Sequence, residues 1–95
     1  MEIREAYKQK RAAQLQEWSA QINLLEAKVE NLSADFKLKR TEAIQSLRAK
    51  HQVAASTMKE LSMASGDAWD EIKSTADKIW DDLKVGVADV SDKFK

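Results

Sequence analysis

The side chains able to carry acid–base or ligand chemistry in this chain are few and scattered. The one histidine is His51, and there is no cysteine, which removes thiolate nucleophiles, disulfides and cysteine-ligated metal from consideration. Adjacent acids stand at Asp70/Glu71 and at Asp81/Asp82. Paired carboxylates do general acid–base work inside a cleft, and these lie in a helical pattern with no fold around it to build one. There is no Gly-rich phosphate loop, no nucleophile elbow and no metal spacing of the HExxH kind. The sequence therefore predicts no catalytic residue, no metal ligand, no cofactor and no small-molecule substrate, and the chain is not expected to be an enzyme. Met58 and Met63 read as gap fillers among apolar neighbours. His51 falls in the apolar stripe described next, where it reads as a core or register residue. Charging it would add a cation to that stripe and make assembly sensitive to pH.

The elements that must position these residues are helices. Charged residues make up 34% of the 95 positions, proline is absent, and glycine occurs only at Gly66 and Gly86. Proline and glycine are the residues that interrupt helices, and no β-branched run bounded by turn residues suggests a strand. The length suits one small domain. The formal net charge is zero, which argues against nucleic-acid binding. The first 50 residues carry an excess of three positive charges and the remaining 45 an excess of three negative. That polarity reads first as a pair of solvated faces, and second as favouring antiparallel docking of the two ends, within or between chains. No apolar run reaches the ~20 residues of a transmembrane helix and no signal-like segment follows Met1, so the expected location is the cytoplasm. The first dozen residues are polar and are expected to fray.

From Leu15 the apolar residues run Leu15, Trp18, Ile22, Leu25, Val29, Leu32 and Phe36, at alternating spacings of three and four. This is a heptad seam, a narrow stripe that needs a partner helix to cover it. Phe36, Arg40, Ile44 and Leu47 then follow at four, four and three, an insertion that unwinds a left-handed supercoil locally. Arg40 falls in the seam there and either snorkels outward or pairs with an acid. The frame resumes through Ile44, Leu47, His51, Ala54, Met58, Leu61, Ser65, Ala68 and Ile72. Its small and polar members bury little area, which makes this the weakest stretch of the seam.

Gly66 lies within that stretch. Asp67 behind it is a cap candidate, with Asp70 three residues on imitating a capping box. Gly66 either ends the first helix or is carried inside a continuous one at a cost of ~1 kcal/mol, and the cap candidate favours the break. The pattern predicts a heptad helix over 3–64, a turn at 65–67 and a second helix over 68–93. The first would be ~90 Å long at ~1.5 Å per residue.

The last segment repeats itself, with WDEIK, WDDLK and SDKFK spaced by 11 residues. Eleven residues close three turns at ~3.67 per turn, so the apolar face runs nearly straight along the helix. It comprises Trp69, Ile72, Ile79, Trp80, Leu83, Val87, Val90 and Phe94, and the adjacent pairs at 68/69 and 79/80 widen it beyond a coiled-coil seam. Such a face packs into a groove between helices or lies in a membrane interface. Residues 67–95 carry eight acids against five lysines. Anionic lipid prefers basic helices, so the balance favours packing.

Taken together, Trp18, Leu25-Glu26-Ala27-Lys28, Leu47-Arg48-Ala49-Lys50 and Ser65-Gly66-Asp67-Ala68-Trp69 with the repeat behind it resemble a family of short bacterial coiled-coil proteins described as uncharacterised or stress-response proteins. The resemblance implies a bacterial cytosolic helical protein raised under stress and brings no catalytic residue with it. The expectation is an all-α, elongated chain, a long coiled-coil helix plus a C-terminal amphipathic helix, arranged as a helical hairpin or an oligomeric coiled coil. Its function would be structural, as a homo-oligomer or a scaffold for a protein partner. The seam residues above, with Ile44, Leu47, Met58 and Leu61, would carry the first contact, and the repeat face the second. A peripheral membrane protein using its last helix is the other class the pattern fits. Helix orientation and oligomer number are left open by the weak charge pairing beside the seam.

Overall fold

The structure, a computed structural model, describes residues 2–94. Three helices follow one another, α1 over Ile3–Val29, α2 over Ala34–Met63 and α3 over Asp67–Asp92. Cross-helix contacts fix their directions. His51 of α2 reaches the carbonyl of Leu15, while Arg48, earlier in α2, reaches Asn23 and Glu26, later in α1. These helices are therefore antiparallel. Tyr7 stacks on Trp69 and the Trp80 indole donates to the Arg11 carbonyl, so α3 runs parallel to α1. The result is an all-α, up-down-up bundle with Cα extents of 51 × 21 × 17 Å.

The expected single helix over 3–64 is two helices, and its ~90 Å collapses to a 51 Å rod. The chain turns at residues 30–33. The amides of Asn31 and Leu32 close on the carbonyls of Lys28 and Val29 at 3.2 and 3.0 Å, ending α1 in a tight turn. Ser33, in extended conformation, opens α2. The stretch taken for a stutter is the start of α2. Phe36, expected in the seam, is 55% exposed there, and Leu32 is half-buried in the turn.

The second turn falls at 64–66, close to the expected position. Gly66 adopts φ 59 and ψ −132, and Asp67 is the first helical residue rather than the cap. No side-chain cap bond forms, so the capping box is not made. Asp67 and Asp70 instead place two carboxylates in the first turn of α3, where the helix dipole favours negative charge. Ser65 and Ala68, expected in the seam, are exposed at this turn, and so is Met63, expected as a gap filler.

The core explains why the chain folds back twice. Leu15, Trp18, Ile22, Leu25 and Val29 of α1, Ile44, Leu47, Ala54 and Leu61 of α2, and Trp69, Ala76, Trp80, Leu83, Val87 and Val90 of α3 are buried in one cluster. Met58, Ile72, Ile79 and Phe94 are partly buried against it. The seam of the first 64 residues is thus covered by its own second half and by the repeat. The breadth of the repeat face has its use here, because α3 packs on both α1 and α2. Gly86 lets α3 come close, since a Cβ there would lie 2.9 Å from Leu47 Cδ2.

Candidate functional site

The stretch expected to fray is helical from Ile3 onward, and the first turns of α1 are held on α3 by a polar and aromatic cluster. The Tyr7 hydroxyl donates to Asp77 at 2.7 Å, and the Arg11 guanidinium pairs with the same carboxylate at 2.8 Å. Arg11 also lies over the rings of Tyr7 and Trp80, with its charge 5.0 and 5.8 Å from their centroids. Lys73 completes the ring from α3, 3.4 Å from Asp77. Burial pushes the Asp77 carboxyl up, but the hydrogen bonds from Tyr7 and Arg11 and the charge of Lys73 outweigh it and hold the group below the ordinary carboxylate value. Burial and the bond to Asp77 push the Tyr7 hydroxyl above its ordinary value. Arg11 is raised as well: burial works against its charge, and its hydrogen-bonded neighbours Tyr7 and Asp77 more than compensate. Arg11 also donates from Nη1 to the Gln14 side chain at 2.9 Å, and its Nε is buried without a hydrogen-bond partner. The arrangement locks the register of α1 against α3.

His51 also serves register. Its Nε2 lies 2.9 Å from the Leu15 carbonyl, which can only accept, so Nε2 carries a proton and ties α2 to α1. The bond forms with the imidazole neutral or charged. The paired acids face outward, Asp70, Glu71, Asp81 and Asp82 all being exposed, with Asp82 3.4 Å from Lys50 of α2. That pair and Arg11–Asp77 are where the basic first half meets the acidic last helix within one chain.

With the expected contact faces turned inward, the outer surface carries what remains for partners. Among the described residues seven large apolar side chains are exposed, and five of them sit at the two ends of the rod. Ile3 and Met63 project from the end that holds the starts of α1 and α3, at 87% and 79% exposure. Leu24, Phe36 and Leu38 lie near the other end. There, two open clefts of about 260 and 290 Å³ flank Phe94. The first runs between α1 and α3 and is lined by Gln21, Leu24, Leu25, Lys28 and Ser91, and the second by Leu32, Phe36, Arg40 and Lys93. Arg40 snorkels as one of its two expected options had it, lying 6.0 Å over the Phe36 ring. A third cleft, of about 320 Å³ between α1 and α2, is lined by Glu26, Val29, Glu30, Thr41, Ile44, Gln45 and Arg48. No helix is long and apolar enough to cross a membrane, among the described residues.

Sequence reasoning did not single out Tyr7, Arg11 and Asp77. They are isolated polar residues in stretches read as fraying or as plain repeat, and only the parallel packing of α1 on α3 brings them together. The end clefts were equally invisible, because they exist only where the chain turns at 30–33. In comparisons with known proteins, no family model, no curated protein and no solved structure matches the chain.

Proposed function

We propose that the chain is a non-enzymatic helical scaffold that associates with itself or with a protein partner through the ends of its bundle rather than through the heptad seam. One observation carries this reading. The seam and the repeat face cover each other inside one chain, while among the described residues five of the seven exposed large apolar side chains gather at the two ends. Clustered exposed apolar side chains are a mark of contact surfaces, whereas scattered ones are ordinary. The resemblance to short bacterial stress-response proteins adds the cytoplasm of a bacterium and a role under stress to the proposal, on the strength of that sequence pattern alone. Sedimentation over rising concentration tests self-association. A mass that climbs above the 10.8 kDa of one chain supports it. A mass that stays there up to about 1 mM, a concentration at which contacts worth ~4 kcal/mol would register, rules it out.

A second reading, attachment to an anionic lipid surface, is favoured by Lys28, Arg40 and Lys93 beside the apolar clefts. It draws no support from α3, whose Trp69 and Trp80 are buried in the core and would have to leave the bundle to reach lipid. Flotation of the full chain with phosphatidylserine vesicles, beside neutral ones, tests it.

A further inference from the structure

The two ends of the rod differ, and their differences are complementary. At one end Ile3 and Met63 stand out from the surface, with Glu2 and Asp67 close to them along the chain; Glu5 there is paired with Lys8, and the neighbouring cation Arg4 lies over the Trp69 ring. At the other, two clefts lie on either side of Phe94, lined by Leu24, Leu32 and Phe36 and by three cations, Lys28, Arg40 and Lys93. Among the described residues, no Asp or Glu side chain lines either cleft. Two apolar side chains thus stand exposed at one end, and two clefts with apolar lining open at the other.

We infer that a second copy of this chain occupies the clefts, its Ile3 and Met63 end seated on the Phe94 end of the first, so that bundles stack head to tail. The inference rests on the self-association proposed above and specifies its geometry. Joining like ends would set Lys28, Arg40 and Lys93 against their own copies, or projection against projection. Head-to-tail stacking puts apolar side chains into apolar recesses and carboxylates beside cations. Because α2 runs against α1 and α3, the helix dipoles at each end sum to only about half a charge, of the opposite sign to the side chains named, and the full side-chain charges outweigh it. Because the two contacting surfaces are different, the contact is heterologous. It leaves a free cleft end and a free projecting end on every assembly, so it propagates as an open row unless its rotation happens to close a ring. The end face is small, 21 × 17 Å between Cα extremes. Its burial falls below the ~1,200 Å² of a stable interface, and the association is correspondingly weak and concentration-dependent.

The test uses two full-length variants that alter only exposed residues. Ile3→Asp with Met63→Asp removes the projections, and Leu24→Asp with Phe36→Asp spoils the clefts. Far-UV circular dichroism checks that both remain helical. Wild type should grow in mass between about 20 µM and about 1 mM, and the growth should weaken from ~20 mM to ~300 mM salt as charge pairing is screened. Each variant alone should stay monomeric. Mixed in equal amounts they should form pairs and nothing longer, since each supplies the end that the other lacks, roughly doubling the mass of the associating fraction. If wild type associates but either variant alone associates as well, head-to-tail stacking is wrong while self-association stands. If wild type stays monomeric throughout, both readings fall. Should that monomer float with phosphatidylserine vesicles and the cleft variant not, the clefts are a lipid site and the inference is overturned.

Discussion

Gly86→Ala sets two effects of known sign against each other. In an exposed helix, replacing glycine by alanine stabilises by about 1 kcal/mol, because alanine loses less backbone freedom on folding. At Gly86 the new methyl would lie 2.9 Å from Leu47 Cδ2 and 3.7 Å from Lys50 Nζ. The lysine can swing away. Leu47 is buried at the α2–α3 contact and cannot rotate without pressing on its neighbours, so the clash falls under overpacking, at about 1–3 kcal/mol. The balance is a net loss of up to about 2 kcal/mol, which for a chain of this size lowers the melting temperature by up to roughly 10 °C. Urea unfolding followed by tryptophan fluorescence measures it. The double-mutant cycle with Leu47→Val isolates the cause, since valine has no δ-methyl to meet the new Cβ. In that background Gly86→Ala should become neutral or stabilising, with a coupling of about 1–2 kcal/mol. A single Gly86→Ala variant that gains about 1 kcal/mol, or a cycle without coupling, would show that α3 does not approach α2 as closely as described.

Four further outcomes are expected. Gly66→Ala should destabilise by about 1–3 kcal/mol through backbone strain alone, because φ is 59 and no atom lies within 4 Å of the added Cβ. Gly66→Asn should be no better, since ψ −132 lies outside the left-handed basin that asparagine tolerates, and equal urea midpoints for the two variants would bear this out. Asp77 has a depressed folded pKa, so its stabilising effect is present above the unfolded value of about 3.9 and is lost as pH falls through the folded value. The stability gap between wild type and Asp77→Asn, measured by urea melts from pH 7 down to pH 2, should therefore close on the acid side; a gap that is constant with pH would sink the assignment. Tyr7 is shifted the other way, so its contribution is present below about 10 and fades as pH rises through its raised value, a loss that Tyr7→Phe should not show. Ile22→Asp should unfold the monomer instead of only dispersing assemblies, because Ile22 is buried within one chain and an unpaired carboxylate there costs several kcal/mol of the roughly 5–14 kcal/mol available. Retention of full helicity in that variant would mean the seam is not an internal core.

How much of this was legible in the sequence depended on the range of the signal. Helix period is local, and the all-α class, the seam from Leu15 to Val29 and the repeat face of α3 were all readable from spacing. The turn at 30–33 was not read, although Asn31 and Ser33 are turn and cap formers. Leu32 and Phe36 happen to continue the spacings of three and four, and unbroken periodicity outvoted two polar residues with no glycine or proline beside them. Their actual places, half-buried in a turn and 55% exposed, show that a stripe counted along the chain does not establish that the helix carrying it is continuous.

The misplaced turn also changes what the rest of the pattern means. A narrow seam on one long helix can be covered only in part by the shorter C-terminal segment folded back, and the rest of it needs a second chain. Cut at 30–33, the same seam becomes two helices of 27 and 30 residues, each matched in length by the 26 residues of α3. Three rods of equal length can exclude water from one shared core, provided one of them presents a face wide enough to meet the other two. The 11-residue repeat supplies that width, with Trp69 and Trp80 buried in the same core as the small side chains Ala54 and Ala76. The feature that suggested a membrane face in isolation is thus what makes a monomeric core possible. Once the core is closed in this way, intermolecular contact has to be sought where the rods end, at Ile3 and Met63 on one side and around Phe94 on the other.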